Sequence, residues 1–291
     1  MFATLEETQE AYAMFWIFMF GFFWIVAFII AILQFTIAAT TALWYFGSNS
    51  DAPPSVSVCQ GISWAFRYHL GSLAFGSFLI AVVTMIKVIF EYFAKKYEKA
   101  AGDNPIVKAI ICYVRCMIWC LDACVKFISE NAYIQVAING CNFCAGAKKS
   151  FFMIIGNPGT FTAMNVVGWI MTGIGKGVIV GASVYLTMVL AEENVLVATE
   201  GVKIQQPFVP AFVVLLIAWL VAGLFISIFD FSALTILQCF LTSKEVAQST
   251  GGRIFAPPSL RSYLRKSGEE YADDDKAKDT GKDKPEANQM D

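Results

Sequence analysis

Charge is what this sequence has least of. Of its 291 residues only 15% are Asp, Glu, Lys or Arg, against 57% hydrophobic, whereas a soluble domain carries roughly 25% charged residues. The deficit places the chain in the membrane class. Histidine is nearly missing too. His69 stands alone, so neither a zinc-hydrolase pattern nor a Ser-His pair can be assembled. There is no Gly-x-x-x-x-Gly-Lys-Ser/Thr loop, which excludes a self-contained nucleotide-driven pump. No enzyme activity, cofactor or metal is expected. The net charge of −2 offers nucleic acid no electrostatic footing. No Asn-x-Ser/Thr sequon marks an outside loop, and the start, with Glu6, Glu7 and Glu10, does not read as a cleavable signal peptide. Eight cysteines in so apolar a chain are not a secreted disulfide scaffold.

Long hydrophobic runs, by contrast, are plentiful. A helix crosses a bilayer in about 20 residues, and four segments qualify: residues 14–46, 69–93, 161–190 and 209–229. The first is longer than one crossing needs and must tilt, kink or overshoot. Aromatic residues cluster at its ends (Phe15, Trp16, Phe22, Phe23 and Trp24, then Trp44, Tyr45 and Phe46), as interfacial belts do. Lipid cannot satisfy open backbone groups, so the expected fold is all-α: a polytopic membrane helix bundle of about four spans. Residues 1–13 form an N-terminal flank, 243–267 a basic segment and 268–291 a disordered charged tail without apolar periodicity.

Basic residues set the expected orientation. Lys95, Lys96, Lys99, Lys108 and Arg115 follow the second span, Lys148 and Lys149 precede the third, and Arg253, Arg261, Arg265 and Lys266 follow the fourth. The opposing loops are poorer in Lys and Arg. The positive-inside rule then puts residues 94–160 and the C-terminus in the cytosol. Residues 132–155 are apolar enough for a further crossing or a re-entrant piece, either of which would change the count.

Within the segment 94–160, Cys112, Cys116, Cys120 and Cys124 recur every four residues and line one stripe of an expected amphipathic helix. Four sulfurs over three turns cannot close one tetrahedron, so they hold no metal. Two roles remain: packing as small hydrophobes, which is favoured, and S-palmitoylation. The Cys141–Cys144 pair lacks a redox-fold context and is also expected to pack.

A charge at membrane depth usually faces the bundle interior or a water-filled cavity. Lys176, deep in the third span, is therefore a candidate pathway or gating residue; structural pairing and snorkelling are the alternatives. Gly173, Gly177 and Gly181 beside it form a small-residue ridge that invites close helix approach. Gln34, Thr36, Thr40 and Thr41 are expected to make interhelical hydrogen bonds. Lys87 is expected to snorkel, and Asp230 to sit at an interface. Aromatic faces could hold a quaternary ammonium, but 26 Phe, 10 Tyr and 7 Trp are too many to locate a cage.

Three blocks together resemble the choline transporter-like family (solute carrier family 44). They are Phe66-Arg-Tyr-His-Leu-Gly-Ser-Leu-Ala-Phe-Gly-Ser77, then Asn131-Ala-Tyr-Ile with Ala137-Ile-Asn-Gly-Cys-Asn-Phe-Cys-Ala-Gly-Ala-Lys148, then Leu237-Gln-Cys-Phe-Leu241. The resemblance runs from the first span to about Arg265 and covers only the C-terminal part of a family with about ten spans. It implies transport of choline or a related small cation, without ATP, at the plasma membrane or an organellar membrane. The bilayer is one partner. The family's N-terminal helices, or another subunit, would be a second. The resemblance carries over no substrate-binding residue. Arg67, His69 and Asn142, the polar members of its blocks, join Lys176 as candidate functional residues. The rival expectation is a shortened, non-transporting paralogue that acts as a membrane scaffold. A membrane-embedded lipid enzyme would need a His, Asp or Ser cluster that the sequence does not offer.

Overall fold

Polar caps and prolines divide the chain into helices. Asn104 caps one helix, its Oδ1 accepting from Ile106 N at 3.1 Å with Pro105 at the first helical position, and that helix ends where Gly140 turns left-handed (φ 63°). Asn142 caps the next, accepting from Ala145 N at 2.9 Å. The computed structural model describes residues 9–48, 57–100, 104–192, 208–250 and 255–257, and every element among them is helical. These are α1 (Gln9–Gly47), α2 (Val58–Tyr68), α3 (Leu70–Ala100), α4 (Pro105–Asn139), α5 (Phe143–Gly156), α6 (Pro158–Glu192) and α7 (Phe208–Thr250). The expected tail and most of the basic segment lie outside the described residues.

Four helices carry stretches long and apolar enough to cross a membrane: Ala11–Gly47, Leu70–Lys99, Pro158–Ala191 and Phe208–Thr250. Each contains one of the four expected spans except for His69, which falls in the break between α2 and α3. The protein is an all-α, multi-pass membrane bundle. Its outward side chains are large and apolar, as in Ile17, Phe18, Leu224 and Phe229, all at least 70% exposed.

Side-chain pairs fix the directions of the helices. α1 and α3 run antiparallel: Phe35 stacks on His69, Trp24 Nε1 donates to Ala74 O at 3.3 Å, and Trp16 meets Tyr92. α4 runs antiparallel to α3, because Arg115 pairs with Glu91, Asp122 with Lys87, and Tyr133 reaches Gly76. α7 runs parallel to α1, with Phe231 beside Ala38 and Cys239 beside Ala42 and Tyr45. α6 returns antiparallel to α7, with Phe161 against Leu237 and Leu241, and Gly175 against Ile226. Thus α1, α4 and α7 point one way, and α3 and α6 the other.

One end of the bundle therefore holds the start of α1, the α3–α4 connection and the start of α7. The other holds the end of α1, the α2–α3 junction, α5 and the end of α7. The stretch 94–160, expected as one cytosolic segment, runs from the first end to the second. The C-terminal half of α4 is the most enclosed part of the fold: Ala132, Tyr133, Ile134, Gln135 and Val136 are fully buried against α1, α3, α5 and α7. Lys87 does not simply snorkel. It pairs at 3.0 Å with Asp122, which Lys126 also meets at 2.9 Å.

Gly76 is where α3 admits α4 and α5. A Cβ there would lie 2.5 Å from both Tyr133 Oη and Phe143 Cε2. Gly76→Ala is expected to destabilise by about 1–3 kcal/mol, read as a lower unfolding midpoint in detergent. Adding Tyr133→Phe should recover part of the loss, since it removes one of the two nearest atoms and a buried hydroxyl that has no hydrogen-bond partner among the described residues.

Candidate functional site

The buried half of α4 carries a row of polar side chains. Gln238 of α7 donates to Asn131 Oδ1 at 2.6 Å and accepts from Gln135 at 2.8 Å. Asn139 donates to Gln135 Oε1 at 2.7 Å, and Lys149 of α5 donates to Asn139 Oδ1 at 3.1 Å. Asn131 in turn donates to Phe127 O at 2.7 Å. The ladder ties α4, α5 and α7 together, and it fixes the backbone on both sides of Tyr133 and next to Glu130.

On its other side Glu130 shares the lining of two cavities with Gln34 of α1. The larger, about 420 Å³, opens between α1, α4, α6 and α7 and is lined by Gln34, Glu130, Asn165, Trp169, Asp230 and Phe231, among others. The smaller, about 230 Å³, lies between α1, α3 and α4 and is lined by Phe23, Ile30, Gln34, Thr84, Lys126 and Glu130, among others. Asp230 accepts a hydrogen bond from Thr172 of α6. α7 continues past it to Thr250, so Asp230 lies midway along the helix. Two carboxylates and two aromatic rings thus line one cavity between four helices.

The four candidate residues do not converge here. Arg67 is exposed at the end of α2, its guanidinium 5.8 Å from the Tyr68 ring centroid. His69 terminates α2 and stacks on Phe35 at 5.1 Å. Asn142 is the cap of α5. Lys176 is half-buried on α6, one turn beyond Thr172, and makes no ion pair among the described residues. Cys112, Cys116, Cys120 and Cys124 are all exposed, outward-facing free thiols. Nothing meets a Cβ placed at Gly173, Gly177 or Gly181, so no described helix uses that ridge. Thr36 and Thr40, expected to bond between helices, donate instead within α1, to Ile32 O and Thr36 O; Glu130 was passed over in a stretch taken as cytosolic.

The blocks that carry the family resemblance meet in space: Gly76 touches Tyr133 and Phe143, and Asn131 bonds Gln238. The sequence model of the plasma-membrane choline transporter family matches residues 1–245. The chain belongs to that family. It is 33% identical over 257 residues to choline transporter-like protein 2 of Xenopus laevis, covering 87% of this chain and 36% of the relative. It is 32% identical over 235 residues to choline transporter-like 2 of Anopheles gambiae, covering 81% and 29%. To choline transporter-like protein 5-A of Danio rerio it is 33% identical over 249 residues, covering 84% and 35%. The chain thus spans about a third of the length of these choline transporter-like relatives.

A charged thiol reagent distinguishes a wet cavity from a lipid-filled groove, because thiolate does not form in hydrocarbon. In a cysteine-free background, Asn165→Cys and Ser227→Cys, both lining the larger cavity, are expected to be labelled by a methanethiosulfonate carrying a cation. Leu224→Cys, on the outward face of α7, should stay unlabelled.

Proposed function

We propose that this chain is part of a choline transporter rather than an enzyme, and that the larger cavity is where the cation rests. The observation that carries this is the convergence of Glu130 and Asp230 on a cavity also lined by Trp169 and Phe231, in a chain of this family. A quaternary ammonium donates no conventional hydrogen bond. It is held by aromatic faces and by negative charge, and the cavity supplies both. Gln34 and Asn165 provide amide groups for the hydroxyl of choline. No nucleotide site is invoked, and the plasma membrane is the proposed location.

On this proposal α4 is a further crossing, since it runs the length of α3 between the two ends. The second end then faces the cytosol, with Arg67, Lys148, Lys149 and Lys244, and the basic residues Arg253, Arg261, Arg265 and Lys266 follow it in sequence. The C-terminus stays cytosolic, as the basic residues alone suggested. The α3–α4 connection moves to the other side, away from cytosolic acyltransferases, and the cysteine stripe serves as small apolar groups facing lipid. Lys176 points back along α6 toward Thr172 and Asp230 and can answer the charge of Asp230 when the cation leaves. The ridge at Gly173, Gly177 and Gly181 is the seat for a further helix, from the remaining length of the family's proteins or from another subunit.

Labelled choline uptake into cells expressing the protein with its full complement of helices tests the proposal. Glu130→Gln, nearly isosteric and uncharged, is expected to lower uptake by about tenfold or more, equivalent to about 1.4 kcal/mol of binding, at unchanged surface expression. Trp169→Ala should raise KM more than it lowers the maximal rate. Saturable uptake that neither substitution alters would place the cation elsewhere, and no uptake at all would favour a non-transporting scaffold.

A further inference from the structure

A second cavity lies at the end of the bundle that holds the α5 helix, away from the two carboxylates. It has a volume of about 510 Å³ and is walled by α5 and α7, with Lys148, Lys149 and Lys244 at its polar side and Phe152, Met153 and Leu241 at its apolar side. Glu245 is the one carboxylate in its lining. Lys149 is 4.0 Å from Glu245, and Lys148 has no ion partner among the described residues. Among the described residues the lining thus holds three ammonium groups and one carboxylate.

Its depth is set by packing. Cys239 lies beside Tyr45, close to the end of α1, and the cleft residues of α7 start two residues further on. At about 1.5 Å per residue this puts the lysines within one to three helical turns of the end of the apolar stretch of α1, where lipid headgroups lie. α5 presents Phe151, Phe152 and Ile155 outward, at 49%, 61% and 57% exposure. A short helix with bare rings beside a lysine cluster has apolar surface for acyl chains and charge for a phosphate. Basic pockets between helices at this level take anionic headgroups.

We propose that this cleft binds an anionic phospholipid, its headgroup phosphate held by Lys148, Lys149 and Lys244 and the upper part of its acyl chains laid on the exposed ring of Phe152. The same lysines would attract free phosphate, but the apolar wall gains only from a lipid. The proposal is independent of the transport site and of which face of the membrane is cytosolic, because a nanodisc offers both leaflets the same lipids.

The test uses the intact chain in nanodiscs of phosphatidylcholine alone, or with phosphatidylserine or phosphatidylinositol 4-phosphate added. Native mass spectrometry then counts the lipids that stay bound. Retention of the anionic lipids over phosphatidylcholine is expected, with a loss of about tenfold in the Lys148→Gln, Lys149→Gln, Lys244→Gln triple variant. The corresponding triple Arg variant should retain them. Where the triple Gln variant does not fold, Lys148→Gln alone, at an exposed position, should lose about twofold or more. Equal retention by the wild type and the Gln variants overturns the proposal. So does displacement of the lipid by millimolar inorganic phosphate, which would make the cleft a soluble-anion site.

Discussion

A polar side chain at membrane depth has no water to turn to, so its partner must come from its own helix or from a neighbouring one. The ladder from Lys149 through Asn139, Gln135 and Gln238 to Asn131 is this constraint met in full. Each amide in it is both a donor and an acceptor, so removing one leaves its neighbours unsatisfied in a low-dielectric interior. The ladder also fixes register. Gln238 can reach Asn131 and Gln135 together only if one turn of α4 faces one residue of α7. Further back along α7, Phe231 packs in one cluster with Ala38 and Ile134, and Asp230 lines one cavity with Glu130. The amide ladder and the carboxylate cavity thus join the same two helices.

The other half of α4 is held by charge. Glu91 and Arg115 pair at 2.7 Å, and Asp122 lies between Lys87 and Lys126. Side chains of the Arg115 cluster are about a third or more exposed, so each contact there adds little stability. Asp122 is nearly buried, at 7% side-chain exposure, and pairs with both Lys87 and Lys126, so removal of either partner leaves its charge less compensated. α4 therefore changes character along its length, from ion pairs near the α3–α4 connection to amides where lipid and water are both excluded.

This change explains what the sequence revealed and what it concealed. Spans that face lipid must be apolar all along, and the four of them were legible from hydrophobic length alone. α4 is paired by charge with α3 over its first half and wrapped by α1, α3, α5 and α7 over its second, so its hydropathy is diluted by Lys108, Arg115, Asp122, Lys126 and Glu130. Its apolar stretch from Ala132 was visible, but its direction was not, because direction depends on pairs such as Lys87–Asp122 that lie 35 residues apart. Asp230 was visible too. It was expected at an interface because the strictly apolar run stops there; the helix itself continues through Thr235 and Gln238, whose side chains are satisfied inside the bundle. Arg67, His69 and Asn142 were singled out for their place in the family blocks. The structure gives two of them local duties, since Asn142 caps α5 and His69 packs on Phe35. Glu130 lies one residue before a block, and only the assembled bundle shows that it lines two cavities with Gln34.

The surroundings of Glu130 also bear on selectivity under the proposed function. A carboxylate taken from water must be compensated, and the polar side chains beside Glu130 in the smaller cavity that can do so are Gln34 and Lys126. A primary ammonium would have to shed strong hydration before it entered the larger cavity. A quaternary ammonium sheds weakly held water and gains both the attraction of the carboxylates and the aromatic faces. A cavity lined by Glu130, Asp230, Trp169 and Phe231 thus favours, on the proposed function, a cation with no proton to donate.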